Sequence, residues 1–422
     1  MRISNYSRNM TRINTITNNY SPLNTNEKWS YILIGTVWAS VIVGFVLIFF
    51  LKATGINTDF KSALSFCIYS ILVLRALPAL NRRINRGDIV RVFVLWTLYL
   101  SHFLLFPENQ EMLVHYFPIY SVAILYYFIG RVCDIDGIFR LLRIASIGNI
   151  ICYVFYFLVF SQRSGYSGVA ETDAENMEAA YQILPSVLFM LQIAVNNLSL
   201  KRIKHLDGAL DLLSGFGGLF FIAMMGSRGP LVCTIFLLLC NVLFFIRTHV
   251  VYKVLLILLL VIIFLNLNYI ILFLLPLTEK LGLSSRVFDL FIEGTFFSGE
   301  ASADIRTDIT GRLMDQLNSA NSLWGYGLTG SWHVIGNYPH NFYVEVMYSF
   351  GYLLGSVILA SLVWVSFKAF YKASYNERGF MLVLFTCSVI KLFISSTLLG
   401  EPYLYMYIGY CISLIKKNQV VI

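Results

Sequence analysis

The chain has 422 residues, 58% of them apolar and 13% charged, with a mean hydropathy of +0.71. Soluble domains average about 45–50% apolar and about 25% charged, so these proportions exclude a cytosolic enzyme, a secreted disulfide scaffold, a disordered chain and a DNA-binding domain. The net charge of +8 would suggest nucleic acid in a soluble protein. In an all-α, polytopic integral membrane protein it follows from the excess of Lys and Arg on the cytoplasmic side of spans, and no nucleic-acid partner is expected.

Residues 1–28 form a polar cytoplasmic tail rich in Asn, Ser and Thr. They lack the short apolar core and cleavage site of a signal peptide, so the first span reads as an uncleaved signal-anchor. About 20 apolar residues cross roughly 30 Å of hydrocarbon. Windows of that length predict twelve transmembrane helices. Nine lie within 29–277, near 29–51, 62–80, 91–106, 112–130, 141–161, 181–200, 207–225, 230–246 and 254–277. Three lie within 341–415, near 341–367, 379–398 and 402–415, and 416–422 is a second cytoplasmic tail. With both termini inside, 21 of the 31 Lys and Arg fall in cytoplasmic segments and eight in outer ones, a bias that orients the chain. The seven cysteines show no CxxC or Cys/His spacing, and six lie in spans, where Cys is a small hydrophobe. Neither disulfides nor a metal site is expected, and there is no internal repeat of the transporter kind.

One long segment, 278–340, breaks the run of short loops on the outer face. Loops of this length are usually functional or disordered, and Phe288, Leu290, Phe291, Phe296, Phe297, Trp324 and Trp332 give this one apolar anchors. Ile309, Leu313, Leu317 and Ala320 fall on one helical face, beside a polar stripe of Asp308, Arg312, Asp315 and Ser319. The pattern predicts an amphipathic helix lying at the outer interface.

Three outer elements carry candidate chemistry. Ser227-Arg228-Gly229-Pro230 is a tight turn between the seventh and eighth spans. Its Arg caps the end of the seventh span or pairs with lipid phosphate, or else binds an anion through its planar fork. Arg312 either pairs with Asp308 or Asp315 on its own helix or does the same. His340, between Pro339 and Asn341 at the mouth of the tenth span, is a satisfied interfacial group, a base or an anion binder. Trp324, Tyr326, Trp332, Tyr338 and Tyr343 are either an interfacial belt or platforms for sugar rings.

Elsewhere, Lys391 lies about 10 Å from the outer end of its span by helical rise. A Lys at that depth is a functional candidate, with snorkelling as the alternative; Arg75 can snorkel inward and reads as structural. Asp207 and Asp211 share a face at a helix N-terminus, where acids are favoured. Glu345 follows His340 by about 140° of helix, so the two need not meet. Asp304 and Asp308 form no paired-acid metal motif.

Ser227-Arg228-Gly229, Thr310-Gly311-Arg312-Leu313, Trp324-Gly325-Tyr326-Gly327, Pro339-His340-Asn341-Phe342 and Gly351-Tyr352-Leu353-Leu354-Gly355 follow one another in an order that resembles the O-antigen and capsular polysaccharide polymerases (Wzy-type) and the related O-antigen ligases. The resemblance covers about 227–367; the first half matches only as a set of spans. It implies a metal-independent membrane glycosyltransferase without cofactor, working at the outer face of the cytoplasmic (inner) membrane. Its partners would be an undecaprenyl-diphosphate-linked oligosaccharide donor, a lipid-linked acceptor, the lipid bilayer and a chain-length regulator protein. His340, Arg312 and Arg228 would be catalytic. Arg228, Arg312, Lys391, Trp324, Tyr326, Trp332, Tyr338 and Asn341 would bind substrate. A ligase would use lipid A core as acceptor instead, and a lipid-linked oligosaccharide flippase is the alternative from another class.

Overall fold

The computed structural model describes residues 25–54, 61–160, 171–199, 206–224, 228–246, 249–265, 300–319 and 322–417. Every regular element among them is helical. In chain order these are α1 (Thr25–Trp38), α2 (Ser40–Thr54), α3 (Lys61–Arg83), α4 (Arg86–Leu105), α5 (Gln110–Val132) and α6 (Ile135–Phe160). They continue as α7 (Glu171–Ser199), α8 (Leu206–Met224), α9 (Arg228–Phe244) and α10 (Val250–Leu265). Last come α11 (Glu300–Ser319), α12 (Ser331–Ile335), α13 (Phe342–Lys372), α14 (Tyr375–Phe385) and α15 (Pro402–Lys417). Among the described residues four stretches are long and apolar enough to cross a membrane: Arg86–Leu105, Pro107–Val132, Ile135–Phe155 and Phe342–Lys372. Gly229–Phe244 and Val250–Leu259 are apolar but shorter. The tail 1–24, residues 266–277 of the ninth predicted span and the first part of the long loop, with Phe288 to Phe297, lie outside the described residues.

The first predicted span is two helices, broken at Ala39, and the break has a cause 110 residues away in the chain. In a continuous helix the Ile42 N–H would bond the Trp38 carbonyl. Here the Asn149 amide, from α6, replaces both halves of that bond. Its Oδ1 accepts from Ile42 N (3.3 Å) and its Nδ2 donates to Trp38 O (2.8 Å). Nδ2 also donates to Ser186 Oγ on α7 (2.9 Å). A side chain inserted into the backbone ladder is a recognised origin of helix breaks.

Where backbones come closest, the sequence has glycine. A Cβ on Gly130 of α5 would lie 2.1 Å from Met406 O, and one on Gly409 of α15 would lie 2.1 Å from Tyr127 O. The shortest predicted span, 402–415, therefore sits flush against α5, with Leu404 to Tyr407 and Gly409 to Ile412 buried along most of its length. Small residues at such crossings allow close van der Waals packing between apolar helices. The eleventh predicted span, 379–398, is shorter than expected. Its helix passes through a π-turn at Thr386–Ile390 and leaves helical geometry after Leu392.

One end of the bundle is rich in paired charge. Asp88 is fully buried and receives Arg131 Nε (2.8 Å), Tyr127 Oη (2.8 Å) and Arg91 Nη1 (3.0 Å). Asp207 and Asp211 of α8 answer Arg143, with Asp211 at 2.6 Å. Lys417 donates to Glu377 at 2.8 Å. These are the ends of α5 and α15 and the starts of α4, α8 and α14.

Candidate functional site

The other end collects the opposite helix termini, and with them the motifs of the long loop. Residues 322–330 lie with their backbone against α13. Tyr326 N donates to Tyr348 O (2.8 Å), Gly327 N to Ser349 O (3.1 Å) and Tyr352 N to Ser322 O (2.7 Å). Side chains would prevent this approach: a Cβ on Gly325 would fall 2.5 Å from Gly351 N, and one on Gly351 would fall 2.1 Å from Leu323 O. Gly351 adopts φ 71° and divides α13 with a kink. The loop is also tied to the α4–α5 corner, since Asn109 Nδ2 donates to Tyr326 O (2.9 Å) and Leu328 N donates to His102 Nδ1 (2.8 Å).

Several sequence candidates prove to have structural partners here. Asn341 caps α13, accepting from Tyr343 N (3.1 Å) and Val344 N (3.4 Å). Tyr326 stacks on Tyr348 with centroids 4.8 Å apart and donates its hydroxyl to Gln316 O. Trp332 packs against the main core, whereas Trp324 is 72% exposed. The amphipathic helix forms as α11, but its apolar stripe is taken up by protein. Leu313 and Leu317 are buried against Val344, Met347 and Tyr348 of α13. Arg312 stays on the exposed face, paired with Asp308 at 2.5 Å. The Arg228 side chain, Ser227 and Ala320 lie outside the described residues; the Arg228 backbone opens α9.

His340 sits with φ 53°, and its ring lies 4.2 Å from that of Tyr338. A non-glycine residue in this region is strained. Among the described residues three share the feature, Thr329, His340 and Ser396, and all three are at this end. Ser396 belongs to the turn after Leu392, which is held from α13. Glu345 accepts from the Thr397 hydroxyl and, at 3.0 Å, from Leu398 N.

Lys391 is paired. Its Nζ is 2.6 Å from Oε2 of Glu401, which is fully buried at the start of α15, and 5.3 Å from the Tyr181 ring centroid. The Tyr181 hydroxyl borders Gly229, where a Cβ would fall 1.8 Å from it. The motifs are thus linked in space, partly through Glu345 and Lys391, which the sequence had singled out, and partly through Tyr181, the 397–398 turn and Glu401, which sequence reasoning missed. His340 and the Asn341 cap lead to Glu345, then to the 397–398 turn, Glu401, Lys391, Tyr181 and the Arg228-Gly229 turn. A signal for Glu401 was present, because a Lys within a span calls for a carboxylate. Only Glu345, Glu377 and Glu401 are acidic after residue 340.

Comparison with protein-family models, with curated proteins and with solved structures finds no match to this chain.

Proposed function

We propose that the chain is a polysaccharide polymerase of the cytoplasmic membrane, with about twelve spans, both termini inside and the motif-bearing end outside. It would transfer a glycan from undecaprenyl diphosphate to a sugar hydroxyl of a second lipid-linked repeat unit. The observation that carries the reading is the convergence at one end of the bundle. The three strained non-glycine residues, the Lys391–Glu401 pair and the start of α9 at Arg228 all gather there. Strain of this kind clusters where geometry serves a ligand.

In this reading the His340 imidazole accepts the acceptor hydroxyl proton as that oxygen bonds to the anomeric carbon. The bond from that carbon to the diphosphate breaks, and its electron pair leaves with the lipid diphosphate. Charge grows on the leaving group, so fixed cations lower the barrier, and Arg228 and Arg312 fit phosphate oxygens bidentately. Among the described residues Arg312 is held by an exposed partner, Asp308, a weak tie that a phosphate can replace.

A flippase would need polar groups lining a path through the depth of the membrane; here the buried amides Asn149, Gln192 and Asn241 are hydrogen-bonded within the protein, and the strained non-glycine residues among those described gather at one end. The test is a gel profile of surface polysaccharide from a strain lacking the gene, complemented with wild type, Arg228→Ala, Arg312→Ala or His340→Ala. A ladder restored by wild type alone, over a single capped repeat unit with each variant, is the expected result. Free polymer on its lipid carrier would instead identify a ligase. Repeat units retained inside would identify a flippase.

A further inference from the structure

Lys391 and Glu401 differ sharply in accessibility. The carboxylate is fully buried, while the Lys391 side chain keeps 18% of its exposure and lies over the Tyr181 ring. Glu401 Oε2 meets the ammonium, and Oε1 is buried without a hydrogen-bond partner among the described residues. Stability alone gives such a pair little purpose. Apolar residues of similar volume do as well or better, and an unmatched carboxylate oxygen is itself unfavourable. The placement is more informative. Through Tyr181 the ammonium stands beside the Gly229 turn at the head of α9. The π-turn at Thr386–Ile390 directly precedes it, and such turns recur at functional sites.

We propose that Lys391 binds the diphosphate of the lipid carrier and that Glu401, behind it, is the counter-charge that keeps this binding weak. The inference rests on the reading given above and adds to it a reason for the carboxylate. A lone buried cation would hold a diphosphate strongly, before and after transfer alike. A carrier that stays bound stops turnover, and product release limits many enzymes. With Glu401 2.6 Å behind it, the ammonium offers a ligand only part of its field. The carboxylate has no route to the ligand itself, and acts through Lys391 as a positioning and screening residue.

The test uses the full-length protein in nanodiscs and measures binding of farnesyl diphosphate, with sodium diphosphate and farnesol as competitors. Glu401→Gln is expected to tighten binding by roughly tenfold or more, the equivalent of about 1.4 kcal/mol. Lys391→Met is expected to weaken it by a similar factor, and the double variant to match Lys391→Met. The exchange Lys391→Glu with Glu401→Lys keeps an internal ion pair while moving the cation inward, and is expected to bind as poorly as Lys391→Met. Sodium diphosphate should compete and farnesol should not. In turnover, Glu401→Gln should lower KM and kcat together, a response that loss of a structural contact does not produce. Weaker or unchanged binding by Glu401→Gln, unchanged binding by Lys391→Met, or competition by farnesol overturns the inference. If Arg228→Ala weakens binding while the 391 and 401 variants do not, the inference falls and the polymerase reading stands. If the wild-type protein binds no farnesyl diphosphate, both fall.

Discussion

At the scale of single residues, the motif around His340 divides its labour. Asn341 sets the geometry: its side-chain Oδ1 caps two N–H groups of α13, and the His340 backbone before it is held at φ 53°. Replacing an N-cap Asn by Ala costs about 1 kcal/mol, and Asp or Ser recovers most of it. Asn341→Ala should therefore lower the midpoint of thermal unfolding in detergent, with Asn341→Asp close to wild type. Arg312 should behave in the opposite way. Among the described residues its ion-pair partner is an exposed carboxylate on its own helix, so Arg312→Ala should change stability by no more than about 0.5 kcal/mol while chain extension collapses. Equal losses of stability and extension would place Arg312 in the scaffold instead. The i, i+4 pairing of Arg312 with Asp308 was legible in the sequence, because it depends only on helical periodicity. Glu345 and Glu401 were not: their partners lie 52 and 10 residues away, across breaks in helical structure.

Elements meet here chiefly through glycines and amides. Gly130 and Gly409 place the α5 and α15 backbones against one another, and a branched side chain at either position has no space. Gly409→Val should cost about 3 kcal/mol or more, as overpacked sites at the severe end do. A chain that unfolds at an unchanged temperature, measured by tryptophan fluorescence in detergent, would contradict this packing. At the opposite end of α14, burial pushes the Glu377 carboxyl up, but hydrogen bonds from Lys417 and the Ser374 N–H outweigh it and hold the group below the usual carboxylate range. A carboxylate depressed in this way contributes stability that is present above its unfolded-state pKa and lost as pH falls through the folded value. The wild-type protein should therefore lose stability as pH drops from neutral to below about 4, and Glu377→Gln should remove that part of the dependence. The positions of the helices were legible, because apolar runs of span length are hard to mistake. The break at Ala39 was hidden. Nothing local marks it, since its cause is Asn149 on another helix.

For the whole molecule, the division between the two ends is the main result. Arg131, Arg143 and Lys417 are matched to buried or half-buried acids at one end, while the strained residues stand at the other. If the positive-inside bias orients this axis, a fluorescent protein fused after Ile422 should fold and fluoresce in the cytoplasm, and alkaline phosphatase inserted at residue 321 should be active. The reverse pattern would invert the chain and remove the outer-face reading with it. The helical character came directly from composition and hydropathy; of the twelve predicted spans, four stretches among the described residues are long and apolar enough to cross a membrane. The site came only as scattered motifs, since the turn at 393–401 that joins them has no periodic signature of its own.

The kink at Gly351 also acts as a gauge of depth. Drawn straight, the 31 residues of α13 would measure roughly 46 Å, well beyond the hydrocarbon thickness of about 30 Å. The nine residues before Gly351 are enclosed by protein, apart from Tyr343. From Gly351 to Lys372 the helix runs roughly 32 Å, and along it Leu353, Val357, Val363, Trp364 and Phe367 face outward. That second length alone matches the oily slab. If α13 crosses a bilayer with this stretch in the hydrocarbon, one edge of the slab would fall at Gly351, where the backbone bonds from the 322–327 loop meet the helix. The enclosed first nine residues of α13, which follow His340, would then lie beyond that edge.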